Sequence, residues 1–221
     1  MRRIFVDERM EVFLELYRKQ PSEEIRDLEE RAKRDQVPII RRGTRDLIGY
    51  LLRTNKPKQV LEVGTAVGYS ALYMLENLPE NSGITTVEKV PMRLTEAKKN
   101  FARLDPEGRI NLREGDATEV LKDLVEEGKK FDFIFMDAAK GQYLNFLPNV
   151  LELLEEGGLL VTDNILHEGD ILESRYAVTR RDRTIHSRMR DYLKALTDHP
   201  KLETICLPLG DGMTLSRKME D

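Results

Sequence analysis

The stretch Phe131–Lys140, FDFIFMDAAK, decides the fold. Its apolar run, Phe133-Ile134-Phe135-Met136, leads straight into a carboxylate, Asp137, with a lysine, Lys140, three residues on. A short, aromatic and unbroken run of this kind suits a strand buried on both faces, as inside parallel sheets. Ligands of open α/β sheets gather beyond the carboxyl ends of such strands, where Asp137 would emerge. A second run, Gly158-Leu159-Leu160-Val161-Thr162, ends in the same way, in Asp163-Asn164. Two strand ends therefore carry three oxygen donors and one amine between them.

The rest of the chain fits a sheet around those two strands. From Gln59 onward, strand-like segments fall at 59–63, 83–88, 109–114, 131–136 and 158–162. Helical segments lie between them, near 69–78, 91–104, 117–127 and 141–154. Regular alternation of this kind predicts a mostly parallel, Rossmann-like sheet with helices on both faces. A long helical stretch at about 184–197 precedes two further strand-like runs, 204–209 and 213–216. Gly210-Asp211-Gly212 joins them with turn chemistry that suits a hairpin, giving seven strands and an antiparallel end. Residues 1–55 read as helices, with Phe5, Val12, Phe13, Leu16 and Tyr17 at helical spacing and Ser22 opening a charged second helix. Val37-Pro38 breaks that helix, Ile39-Ile40 tethers it, and a third helix starts near Thr44 with Leu47, Ile48, Leu51 and Leu52 inward. This segment is a helical cap on a 56–221 core within a single domain, or a dimer surface.

Composition narrows the function. The 221 residues are 40% hydrophobic and 34% charged, with a net charge of −4, which argues against a protein coating nucleic acid over its whole surface. A local basic patch remains possible. The lone cysteine, Cys206, excludes an intramolecular disulfide and a CxxC zinc site, and its neighbours Ile205 and Leu207 predict a core position. The opening MRRIFVDERM lacks the apolar core of a signal peptide, so a cytoplasmic protein is expected.

The loop Gly64-Thr65-Ala66-Val67-Gly68 follows the first strand and opens a helix. Its G-x-x-x-G spacing differs from the G-x-G-x-x-G that cradles a pyrophosphate. Glu62, read as part of the loop, would repel phosphate and suits a cationic or amino-acid-bearing ligand. Glu88 ends the second strand, 24 positions after Gly64, where a carboxylate can accept from both hydroxyls of a ribose. Asp116-Ala117, after the third strand, is placed to meet an adenine amino group. A ribose, an adenine and a cationic amino-acid tail together describe S-adenosylmethionine. The competing reading makes Glu88 and Asp116 mere caps of the helices that follow. Asp137, Asp163 and Asn164 include no histidine or cysteine, which disfavours zinc and favours Mg²⁺. Such an ion would acidify a substrate hydroxyl, and Lys140 is the candidate base beside it; taken singly, each of these residues could also be a turn, a cap or a surface charge.

The segments VLEVGTAVGYSALYM, TTVEK, EGDA, FIFMDAAK and GGLLVTDN resemble the cation-dependent O-methyltransferases, the class I family that includes catechol and caffeoyl-CoA methyltransferases. The resemblance covers roughly residues 35–218. It implies S-adenosylmethionine, Mg²⁺ on Asp137, Asp163 and Asn164, Lys140 as base beside Asp137, and a homodimer. It also implies cofactor contacts from Val37–Ile40, Gly64, Gly68, Ser70 and Asp137.

Ser174–Arg190 carries six arginines against one aspartate, a net +5. Arginine without lysine suits bidentate phosphate contacts and base stacking, although an exposed helix face or a dimer seam would also use it. Arg41, Arg42 and Arg45 form a second cluster beside the cofactor segment. His186 reads as a structural, hydrogen-bonded residue. The run SRYAVTRRDRTIHSRMRDYL with the ending LPLGDGMTLSRK resembles a bacterial branch of the family, the tRNA 5-hydroxyuridine methyltransferases, which make 5-methoxyuridine at the wobble position. That likeness implies that Arg175, Arg180, Arg181 and Arg183 hold the anticodon arm. The alternatives are a small-molecule catechol or caffeoyl-CoA methyltransferase, a non-catalytic RNA-binding module, and a dehydrogenase; glycine spacing and the terminal hairpin speak against the last.

Overall fold

The computed structural model describes residues 8–220. Phe5, one of the expected apolar contacts of the first helix, lies outside them. Three helices, α1 (Glu8–Glu15), α2 (Glu23–Arg34) and α3 (Arg42–Asn55), precede the sheet. Ser22 caps α2 by accepting from Ile25 N at 3.4 Å. Glu23 and Glu24 lie in its first turn and Arg31, Lys33 and Arg34 in its last, each sign at the helix pole that favours it.

Seven strands follow: β1 (Gln59–Val63), β2 (Gly83–Glu88), β3 (Ile110–Glu114), β4 (Phe131–Met136), β5 (Leu154–Thr162), β6 (Leu202–Leu207) and β7 (Met213–Lys218). Their order in the sheet is β3-β2-β1-β4-β5-β7-β6, with only β7 antiparallel to its neighbours. The order reverses between β1 and β4, so the crevice expected of such sheets opens at their carboxyl ends. The connecting helices are α4 (Tyr69–Glu76), α5 (Pro91–Leu104), α6 (Ala117–Glu126), α7 (Tyr143–Leu153) and α8 (Arg183–Thr197).

The alternation of β4 shows how both faces are covered. Phe133 and Phe135 join one apolar layer with α2, α3 and α4, through Leu28, Ile48, Leu52 and Met74. Ile134 and Met136 join the opposite layer with α6, α7 and α8, through Leu121, Val150 and Met189. All four β4 side chains are completely buried.

Two expectations fail. β5 begins at Leu154, four residues before the expected Gly158, because the chain leaves α7 directly into a strand whose pairing with β4 shifts between Phe131 and Phe133. Cys206 is exposed rather than buried, because β6 is an edge strand; its neighbour Ile205 is 51% exposed. Of the inward residues expected on α3, Ile48 and Leu52 are fully buried, while Leu47 and Leu51 are half-buried.

The β1 and β4 ends approach so closely that Gly64 has no room for a side chain. A Cβ there would stand 2.3 Å from the carbonyl oxygen of Asp137, and its φ of +112° disfavours any L side chain. Gly64→Ala is expected to cost about 1–3 kcal/mol of stability, read as a lowered midpoint in urea. An unchanged midpoint would show that the strand ends can part.

Candidate active site

The site follows from register. Val63 pairs with Val87 on one side and Met136 on the other, and Met136 pairs with Thr162. The next residue of each strand therefore emerges at one level: Glu88, Gly64, Asp137 and Asp163. Backbone bonds from Asp137 N to Val63 O (3.0 Å) and from Asp163 N to Met136 O (3.1 Å) carry the alignment past the sheet. Thr162 also pairs with Thr214 of β7, which brings the turn before β7, including Asp211, to the same rim.

A cavity of about 630 Å³ lies over these ends. Of the expected cofactor residues, Ile40, Gly64, Ser70, Glu88, Asp116, Ala117 and Asp137 line it, as do Lys140, Asp163 and Asn164. Pro38 and Ile39 supply one wall and Tyr69 another. The volume lies within the range of small-molecule sites.

Glu88 and Asp116 do both things that were set against each other in the sequence. Glu88 accepts from Ala66 N, Lys89 N and Val90 N, each at 2.9 Å, so it braces the glycine loop and the start of α5 while lining the cavity. Asp116 caps α6 through Thr118 N (2.9 Å) and also accepts from Lys89 Nζ (2.9 Å). The Lys89 bond and the Thr118 amide hold its carboxyl low, at about 2. Each is an acceptor facing the cavity.

Three expected cofactor residues stand back from the wall, Val37 among them. Gly68 starts α4 with φ +85° and is pressed against the Phe101 ring, so it shapes the loop without lining the cavity. Glu62 belongs to β1, not to the loop, and is completely buried. It accepts from the Ser70 and Thr86 hydroxyls, so it reaches the cavity only through Ser70. Burial outweighs those two hydrogen bonds and pushes its pKa up to about 7.

At the other end of the cavity, Asn164 Nδ2 donates to Asp137 Oδ1 at 2.7 Å, and Asn164 N donates to Asp163 Oδ1 at 2.8 Å. Asn164 holds φ +61°, a left-handed conformation that asparagine tolerates better than most residues. Burial raises both acids. Asp163, 2% exposed, is pushed up to about 7, with the Asp137 charge as the second cause. A buried and a half-buried carboxylate raised in this way, with an asparagine side chain beside them, fit a hard divalent cation. Among the described residues no group of three or more His, Cys, Asp and Glu is set for a metal.

Lys140 opens a short 3-10 turn (Lys140–Gln142) ahead of α7. Its amine is 2.9 Å from Asp211 Oδ2, a partner absent from the sequence reading. Asp211 was legible only as a turn residue between two glycines.

The two arginine clusters separate. Arg42 and Arg45 do not face the cavity as free cations. Arg42 bonds Glu15 (2.7 Å) and Glu29 (2.8 Å), and the buried Arg45 bonds Glu29 (3.0 Å) and Asp46 (2.8 Å). Glu29 also receives the hydroxyl of Tyr69 at 3.0 Å. Burial would raise Glu29, but Lys33 and Arg42 bring it down to about 2. In this cluster only Arg41 lines the cavity. Arg175, Arg180 and Arg181 are exposed, Arg183 is half-buried, and none of the four lines the cavity. Arg188 donates to Gly141 O (2.8 Å) and Arg190 to Ile171 O (2.8 Å), so both serve the fold. His186 is buried with Nε2 3.0 Å from Glu173 O, the structural role expected.

Glu62 gives a test with a definite sign. Its ordinary value is 4.5 and its folded value about 7, so between them the folded state holds more protons than the unfolded. Stability from this group is therefore greatest on the acid side and falls as pH rises through that window. Thermal midpoints of wild type relative to Glu62→Gln, which cannot ionise, should improve between about pH 8 and about pH 5. A difference independent of pH would mean that the carboxyl is ionised in the folded state across this range, as it is in the unfolded state.

The O-methyltransferase family profile matches residues 17–219. Caffeoyl-CoA O-methyltransferase of Eucalyptus gunnii is 33% identical over 176 residues, 78% of this chain and 71% of that protein. A Staphylococcus aureus crystal structure, provisionally named a caffeoyl-CoA O-methyltransferase, is 33% identical, with a TM-score of 0.87 over 96% of this chain and all of that one. An S-adenosylhomocysteine-bound methyltransferase of Podospora anserina, 24% identical, shares the fold, with a TM-score of 0.85 over 96% of this chain and 94% of its own. The chain belongs to the S-adenosylmethionine-dependent O-methyltransferase family.

Proposed function

We propose that this enzyme uses Mg²⁺ and methylates 5-hydroxyuridine in the anticodon arm of tRNA, at the wobble position, to give 5-methoxyuridine. The observation that supports an RNA acceptor is the arginine loop. It leaves the metal end of β5, exposes Arg175, Tyr176, Arg180 and Arg181, and returns beside Lys140, where Arg188 bonds the Gly141 carbonyl. Arg175, Arg180 and Arg181 have no hydrogen bond or ion pair among the described residues, unlike Arg42, Arg45, Arg188 and Arg190. Unpaired guanidinium groups beside a site suit phosphates, and an aromatic ring 86% exposed suits a splayed base.

The roles divide along the cavity. Glu88 would accept from ribose hydroxyls and Asp116 from the adenine amino group, while Ile40 and Ser70 contact the cofactor's remaining surface. S-adenosylmethionine supplies an electrophilic methyl group. Asp137, Asp163 and Asn164 would hold Mg²⁺, which makes a chelating hydroxyl more acidic. The 5-hydroxyl and 4-carbonyl of the base offer the same five-membered chelate as a catechol. Lys140 would take the hydroxyl proton, and the cavity would keep acceptor and donor oriented.

A second reading, a small-molecule catechol or caffeoyl-CoA methyltransferase, is favoured by the relatives at 33% identity. The cavity's chemistry suits either acceptor. A homodimer is also proposed, with the exposed apolar side chains Val12, Phe13, Leu16 and Tyr17 of the N-terminal segment as the surface that a second copy would cover.

Mass spectrometry of nucleosides from tRNA bearing 5-hydroxyuridine, incubated with labelled cofactor, should show labelled 5-methoxyuridine. EDTA should abolish it, and Arg180→Ala with Arg181→Ala should reduce it by roughly tenfold or more at physiological salt. Labelling of a free catechol but not of tRNA would select the second reading. Turnover undiminished in EDTA would remove the metal.

A further inference from the structure

The turn between β6 and β7 carries a carboxylate that touches both Lys140 and the loop following Asp163 and Asn164. Asp211 is 5% exposed. Its Oδ2 lies 2.9 Å from Lys140 Nζ, and its Oδ1 accepts from Glu168 N at 2.6 Å. Its own carbonyl accepts from Leu166 N (2.8 Å), and the neighbouring Gly212 carbonyl from Ile165 N (3.1 Å). Three of the five residues from Asn164 to Glu168 are left-handed without being glycine: Asn164, His167 and Glu168. The segment directly after the metal-binding pair is thus held in an unfavourable conformation by the hairpin turn. The turn has no slack, since a Cβ on Gly212 would stand 2.3 Å from the Leu166 side chain and one on Gly210 2.8 Å from the Thr44 hydroxyl.

We infer that Asp211 is a positioning residue for Lys140, fixing the amine against the loop that follows Asp163 and Asn164. The inference rests on the reading of Lys140 as the base. A lysine has four rotatable side-chain bonds, and this one sits at the start of a short turn with a quarter of its side chain exposed. A buried carboxylate anchored by a backbone N–H restricts it to one place. Asp211 touches neither cofactor nor acceptor in this scheme; it acts through the amine. Seventy-one residues separate the two partners, so the hairpin bears on a residue set far earlier in the chain.

Two measurements test this. In the first, kcat and KM are compared for wild type, Asp211→Asn, Lys140→Ala and the double variant, with tRNA bearing 5-hydroxyuridine as acceptor. Asp211→Asn should lower kcat about tenfold or more with KM for the cofactor within about twofold, and should cost under about twofold once Lys140 is already Ala. Equal losses in both backgrounds would show a merely structural role and overturn the inference. A Lys140→Ala enzyme at wild-type kcat would instead overturn the base assignment, and the inference with it. The second measurement needs no acceptor. The ¹³Cε order parameter of Lys140 should be high in wild type and fall in Asp211→Asn. A low value in wild type, or an unchanged value in the variant, would overturn the inference even if a different acceptor proved correct.

Discussion

Two acids forced side by side at the ends of β4 and β5 set the terms for the rest of this molecule. Their backbones are fixed by the parallel pairing of Met136 with Thr162; Asp163 is buried with the Thr44 hydroxyl of α3 3.5 Å from its carboxylate, Asp137 is half-buried, and both line the cavity. Moving Asp163 from 3.8 to about 7 corresponds to on the order of 4 kcal/mol between its charged and neutral forms. A fold that kept this arrangement for stability alone would do better with apolar side chains. The arrangement is intelligible as a cation site, in which a bound positive charge removes the penalty that burial imposes.

The cofactor half is held by a different kind of charge. Glu29 on α2, Arg42 and Arg45 at the start of α3, and Tyr69 at the start of α4 form one network beneath the cavity wall. Arg45 is almost completely buried and also lies over the Tyr73 ring, 5.6 Å from its centroid. Removing one member of such a network leaves a buried charge unpaired, a cost of about 3–5 kcal/mol. The N-terminal helices are therefore tied to the glycine loop through Tyr69, and they help to build the wall made by Pro38, Ile39 and Ile40.

The two strand ends were legible in the sequence because each apolar run stops abruptly at a carboxylate, and alternation along the chain implies parallel register. Local pattern also fixed the terminal hairpin. What it could not show was pairing across distance. Asp211 looked like turn chemistry because its partner lies 71 residues away, and Arg42 and Arg45 read as a basic cluster beside the cofactor segment because Glu15 and Glu29 are brought to them only by folding. Cys206 was misplaced for a related reason: its apolar neighbours suggest burial, but edge position in the sheet overrides them. Glu62 was assigned to the loop by proximity to Gly64, while its side chain points into the sheet's interior toward Ser70 and Thr86.

The central claim is that the paired strand ends hold one divalent ion, and electron paramagnetic resonance with Mn²⁺ addresses it directly. Titration of the wild-type chain should show one bound Mn²⁺ per chain, displaced by Mg²⁺, with Asp163→Ala leaving the added ion free in solution. Free Mn²⁺ throughout the wild-type titration, or binding unaltered by Asp163→Ala, would contradict the account.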